Sequence, residues 1–232
     1  MGLFDQQINV VKEFVDTASG ASKYLAGSRN PWPYGEGIVL SEETAVELGR
    51  PGVLSMWSIM WTQKEVLQDK VTVVGPDIKD ASRSLPLAEF IIVQGKFPNH
   101  YDAFRDLRDK VFGVRLKGIS IRVQPSRKSI WCRVSNDAYH SGFSLVDLGF
   151  AIIQSLKEID SVVGAEVIFV TSSGGDISLL EKVADESRMV VEALIKMYEE
   201  ENFDCESCDY REVCEVVSEL RAIRKRLLKT KA

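Results

Sequence analysis

Three cysteines stand in the pattern Cys205-x2-Cys208-x5-Cys214 near the C-terminal end of the chain. Thiolates at this density suit a soft metal centre, either zinc or an iron–sulfur cluster, and both are completed by four ligands. The remaining cysteine, Cys132, lies far away in sequence. It is a candidate fourth ligand, and equally a candidate small buried hydrophobe. An external ligand or a partner's group would also complete the set. The competing reading of the cluster is a helix-turn whose thiols pack the last helix. Spacing this short does not suit a disulfide framework.

A second constellation surrounds Trp131. Ile119-Ser120-Ile121-Arg122-Val123 and Ile130-Trp131-Cys132-Arg133-Val134 alternate apolar and polar residues, and Pro125-Ser126-Arg127-Lys128 joins them. Period two means strand, and the joining residues have turn chemistry, so the pair reads as a hairpin. Ile119, Ile121 and Val123 are expected in the core. Trp131 and Arg133 share the other face with Ser129 and Ser135, with Arg122 and Arg127 close by. An aromatic ring set among guanidinium groups suits an anionic ligand or an acidic partner. The same pattern also describes a solvated sheet face with one packing tryptophan. His100 and His140, each beside a tyrosine, read as surface or capping residues, and no Ser/His/Asp or paired-carboxylate motif stands out.

Composition narrows the field. The chain has 232 residues, 45% hydrophobic and 27% charged, enough for a sizeable core. Its net charge of −5 does not point to nucleic acid. Residues Glu199 to Glu215 are acidic, and Arg221 to Lys231 are basic. No apolar run reaches the roughly 18–20 residues that span a bilayer, and the start, Met-Gly-Leu-Phe-Asp-Gln-Gln, has no secretory pattern. The expectation is a cytoplasmic chain.

Several elements must position these residues. Leu3 to Asp16 shows helical spacing of apolar residues, and Ala18 to Gly37 is rich in Gly and Pro and reads as a loop pinned by Trp32 and Tyr34. Ile38 to Leu48 is ambiguous between helix and strand. Val53 to Trp61 is apolar on both faces, hence a covered strand. Short strands are expected at Val71 to Val74 and Glu89 to Gln94. Asn99 caps a helix running to Lys110, with Ala103, Phe104 and Leu107 inward. After the hairpin, Ser144 caps a helix with Leu145, Leu148, Ala151, Ile152 and Leu156 inward. Ala165 to Thr171 is a strand, Gly174-Gly175 a turn, and Ile177 to Tyr198 a long helix. The fold class is α+β (or α/β): a mixed β-sheet with packed helices, a helical N-terminus, and a C-terminal cysteine segment followed by a helix. Three parts are expected, 1–40, 41–200 and 201–232.

The pieces Lys70-Val-Thr-Val-Val-Gly-Pro-Asp-Ile78, Ser84-Leu-Pro-Leu87, Ile130-Trp-Cys-Arg-Val-Ser135, Ala138, Gly142-Phe-Ser-Leu145 and Gly149 occur in this order. Together they resemble the middle domain of acetyl-CoA synthase, the beta subunit of the carbon monoxide dehydrogenase/acetyl-CoA synthase complex, from about Val46 to Cys214. The resemblance implies a role in anaerobic one-carbon metabolism, with a 4Fe-4S cluster on Cys205, Cys208 and Cys214, zinc being the alternative. It implies CoA binding by arginines around a tryptophan: Trp131 with Arg133 matches that place, with Arg115, Arg122 and Arg127 as neighbours. A corrinoid protein or a CO dehydrogenase subunit is the implied partner. This chain departs from the family in having no cysteine after Cys214, and so no Cys-Gly-Cys to hold a nickel pair. It is therefore not expected to synthesise acetyl-CoA alone. The implied role is ligand binding or docking. A partner-dependent acyl- or methyl-transfer enzyme is the second reading. The third is a zinc-stabilised interaction protein whose basic C-terminal helix meets an acidic partner or RNA.

Overall fold

A computed structural model of the chain describes residues 2–64, 68–81, 83–124, 129–172, 177–199 and 208–231. The helices are α1 (Asp5–Thr17), α2 (His100–Gly113), α3 (Asn136–His140), α4 (Leu145–Leu156), α5 (Ile177–Glu199), α6 (Arg211–Val216) and α7 (Ser218–Lys231). The strands are β1 (Ala21–Leu25), β2 (Thr44–Leu48), β3 (Ser55–Thr62), β4 (Lys70–Val74), β5 (Ser84–Leu85), β6 (Leu87–Gly95), β7 (Ile119–Gln124), β8 (Ser129–Ser135) and β9 (Val162–Val170). They form a five-stranded sheet in the order β1-β4-β9-β6-β3 and a four-stranded sheet in the order β5-β2-β8-β7. Both sheets mix parallel and antiparallel pairs. This is the α+β class expected from the sequence.

The central strands β6 and β9 are almost continuously apolar because both of their faces are covered. Register places Trp57, Glu89, Phe169 and Val73 in one row across the five-stranded sheet. Helix α4 packs on that face through Gly149, where an added Cβ would lie 2.6 Å from a Val71 methyl. Helix α2 packs beside α4, while α1 and α5 pack on one another and α5 on β3. Lys12 of α1 feels the charge of Glu166, which the register places on the opposite face from Glu89.

The fragments that carry the family resemblance are largely joints. Asp77, just after β4, accepts from the Leu145 backbone N–H at 2.9 Å and from Ser144 Oγ. Ser144 in turn accepts from the Val146 N–H, and Asp147 accepts from the Ser144 N–H, a reciprocal cap for α4. Gly75 has φ +107°, and a Cβ there would strike the Ser172 backbone N–H. Ser55 Oγ both donates to the Ile130 carbonyl and accepts from its N–H, so it ties the two sheets together.

Three expectations change. Ala18 to Gly37 is not all loop: Ala21–Leu25 is an edge strand paired with β4, short and largely exposed, so it shows no burial pattern. Trp32 and Tyr34 do pin the loop that comes after β1, Trp32 donating to the Lys117 carbonyl and Tyr34 bridging to Leu116. Ile38 to Leu48 resolves into a short 3-10 turn and β2. Ile119 is core, but Ile121 and Val123 are only half-buried, because they border a cavity. The turns at Pro125–Lys128 and Gly174–Gly175 lie outside the described residues.

Candidate functional site: a cationic face over a buried acid

The hairpin β7–β8 alternates as its sequence requires. Ile130, Cys132 and Val134 are buried, and Ser129, Trp131, Arg133 and Ser135 are half-buried on the other face. Register sets Arg122 opposite Trp131 and Ser120 opposite Arg133. The guanidinium of Arg133 lies 4.2 Å from the Trp131 ring centroid, and that of Arg122 lies 5.8 Å away. Both are at cation–π distance, and the negative ring face offsets part of their mutual repulsion. Arg133 Nε also donates to Glu47 on β2 at 2.9 Å, which holds Arg133 in place. The indole Nε1 of Trp131 is enclosed without a hydrogen-bond partner among the described residues.

Arg115 and Arg122 both line a cavity of about 430 Å³. Its walls are Val111, Phe112 and Val114 from α2 and the loop after it, Leu148 and Ile152 from α4, and Ile121 and Val123 from β7. Glu89 of β6 also lines it. Arg115 donates from Nη1 to the Phe112 and Val114 carbonyls, where the C-terminal end of α2 carries partial negative charge. The structure thus gathers four of the five sequence-predicted ligand residues, Arg115, Arg122, Trp131 and Arg133, around one hairpin. Arg127 lies outside the described residues.

Glu89 is the residue of the candidate site that the sequence reading missed. It is only 2% exposed, and burial pushes its carboxyl up to about pKa 8. At neutral pH it is therefore mostly the neutral acid, able both to donate and to accept. Its in-register neighbour Trp57 also has an enclosed Nε1 without a partner among the described residues, and the Trp57 ring packs on Phe112 of the cavity wall at 5.2 Å. The signal was present in the sequence: a lone acid inside the apolar run Leu87 to Val93 has to be neutral or matched.

Cys132 is fully buried on β8, paired in register with Leu48 and Ile121. Burial, and then the neighbouring Glu89 charge, push its thiol far up, the reverse of what a metal ligand needs. Cys208 and Cys214 instead line one small cleft with Ala193, Lys196 and Met197 of α5, Tyr210, Arg211 and Arg224. Cys214 is buried and Cys208 half-buried. Cys205 lies outside the described residues. Among the described residues no three His, Cys, Asp or Glu side chains converge as a metal site, so Cys132 does not join Cys208 and Cys214.

His100 is not a surface residue. Trp61 Nε1 donates to its Nδ1 at 2.9 Å, and its Nε2 lies 2.9 Å from Glu219 of α7. Both ring nitrogens are engaged, which makes His100 a latch between β3, α2 and the C-terminal helix. His140 is exposed, at the end of α3.

Fold and site together define a mixed-sheet α+β domain that presents arginines and a tryptophan above a cavity with a buried acid. The family model described as the CO dehydrogenase/acetyl-CoA synthase complex beta subunit matches residues 33–174, well over half of the chain, and the chain belongs to that family. The match takes in the hairpin, Glu89 and α4, and ends before the cysteine segment. A search of curated proteins finds no match. No helix among the described residues is long and apolar enough to cross a membrane.

Proposed function

We propose that this acetyl-CoA-synthase-like chain binds a CoA-type polyanion on the β7–β8 face. The observation that carries the reading is the pair of guanidinium groups over the half-exposed Trp131 ring, with Arg115 and Arg122 lining the adjoining cavity. Guanidinium forks meet phosphate oxygens bidentately, and an aromatic ring offers a stacking surface for an adenine. Bound ligand should change the fluorescence of Trp131. The test compares CoA titrations of the wild type, Trp131→Phe and Arg133→Ala. The response should be lost in Trp131→Phe and shifted to weaker binding in Arg133→Ala. Identical titrations from all three proteins would reject the site.

The cysteine segment supports a second element of the proposal. Cys208 and Cys214 share one cleft, as two ligands of one centre would, and Cys205 is the third thiolate of the set. We assign to them a metal centre, a 4Fe-4S cluster ahead of zinc, whose fourth ligand is external. Its chemistry would be electron transfer or stabilisation of the C-terminal segment. Such a protein would act with a CO dehydrogenase subunit or a corrinoid protein in anaerobic one-carbon metabolism, within the cytoplasm. The burial and raised thiol of Cys132 argue against its serving as the fourth ligand.

A further inference from the structure

The cavity beneath the hairpin is built differently from the cationic face above it. Arg115 and Arg122 are exposed, whereas Glu89 is 2% exposed, and all three line the same space of about 430 Å³. Between them the walls are mostly aliphatic or aromatic, Val111, Phe112, Ile121, Val123, Leu148 and Ile152, with the exposed Gln124 at the end of β7. Glu89 has no hydrogen-bond partner among the described residues, although carboxyls this deeply buried are normally paired. Asp147 on α4 makes its ion pair with Arg29. Glu166, the other acid buried in the five-stranded sheet, makes one with Lys70. Glu89 is an acid left open towards a cavity.

We propose that this cavity is a binding site for a small amphipathic anion: a charged head held by Arg115 and Arg122, an apolar arm along α2, α4 and β7, and a neutral amide or carbonyl at the inner end that hydrogen-bonds Glu89. Each part of that ligand answers a feature of the walls. An arm without a polar end would leave Glu89 unpaired and should bind at least about tenfold more weakly. A neutral molecule would forgo the guanidinium groups. A second carboxylate at the inner end would place charge in an apolar pocket. The amide matches a neutral carboxyl because each has one donor side and one acceptor side. The site shares Arg115 and Arg122 with the polyanion reading but needs neither the Trp131 ring nor a nucleotide, and the Glu89 variants test it separately from CoA binding.

The test is a titration followed by the methyl resonances of Ile121, Leu148 and Ile152 in the full chain. The probes are 6-amino-6-oxohexanoate, which has all three parts, hexanoate, which lacks the amide, and hexanamide, which lacks the anion. The first should bind saturably and move these methyls, and the other two should bind at least about tenfold more weakly, the worth of one such contact. Glu89→Gln keeps an inner hydrogen-bonding group and should retain binding within a few-fold. Glu89→Leu should abolish the preference for the amide over hexanoate. Val123→Trp, a substitution at a half-buried hairpin position, should block all three probes. No saturable shift with 6-amino-6-oxohexanoate would overturn the proposal. So would equal binding of the three probes, or an amide preference that survives in Glu89→Leu.

Discussion

Replacing Glu89 with Gln keeps the size and hydrogen-bonding capacity of the side chain and removes its titratable proton. The native carboxyl is pushed up to about pKa 8 from an ordinary 4.5 by burial alone. Between those two values the native state holds a proton that the unfolded chain has released. Wild-type stability should therefore fall as pH rises through this window, by up to about 1.4 kcal/mol per pH unit. The loss should level off above about pH 8. From pH 5.5 to 7.5 this amounts to roughly 2–3 kcal/mol, a sizeable part of a typical domain's stability. Urea unfolding at both pH values, for wild type and Glu89→Gln, isolates the effect, because every other group titrates alike in the two proteins. The stability advantage of Glu89→Gln should grow by about 2–3 kcal/mol between the two conditions. Parallel pH profiles would refute the reasoning, since they would mean that Glu89 has a compensating partner or is ionised throughout.

Other expectations concern single joints. Ser144→Ala removes the cap of α4 and the contact with Asp77, and should lower unfolding stability by about 1–2 kcal/mol, seen as a lower urea midpoint. Glu42→Ala, at an exposed position, should change unfolding stability by no more than about 0.5 kcal/mol. In anaerobically purified protein, metal analysis should find iron, or failing that zinc, in wild type and a loss of it in Cys208→Ser. Residues 202–215 should then become more sensitive to protease while the sheets stay folded. A wild type with neither metal would remove the metal assignment.

The hairpin was legible because alternation is local: Ile130, Cys132 and Val134 go in, Trp131 and Arg133 stay out, and no distant residue is needed to see it. The caps at Asn99 and Ser144 were legible for the same reason. Strand β1 was not, because Ala21–Leu25 is an exposed edge that takes its order from β4 rather than from its own apolar residues. The convergence of Arg115 with Arg122 was only half visible. They are close in sequence, but the cavity they border is closed by Leu148 and Ile152 of α4 and floored by Glu89 of β6. The parting of Cys132 from Cys208 and Cys214 is likewise tertiary: one thiol is enclosed in the four-stranded sheet, the others lie against α5. Ordered fragments such as Gly75-Pro-Asp77 and Phe143-Ser-Leu145 marked the family correctly, yet their work in this chain is to fasten β4 to α4.

The central claim, that the β7–β8 face binds a CoA-type polyanion, is tested most directly by calorimetric titration of the full chain with CoA and, separately, with pantetheine, which lacks the nucleotide and its phosphates. CoA should bind saturably, at least about tenfold more tightly than pantetheine, and Arg122→Ala should remove most of that difference. Undetectable CoA binding, or equal affinity for CoA and pantetheine in the wild type, would contradict the account.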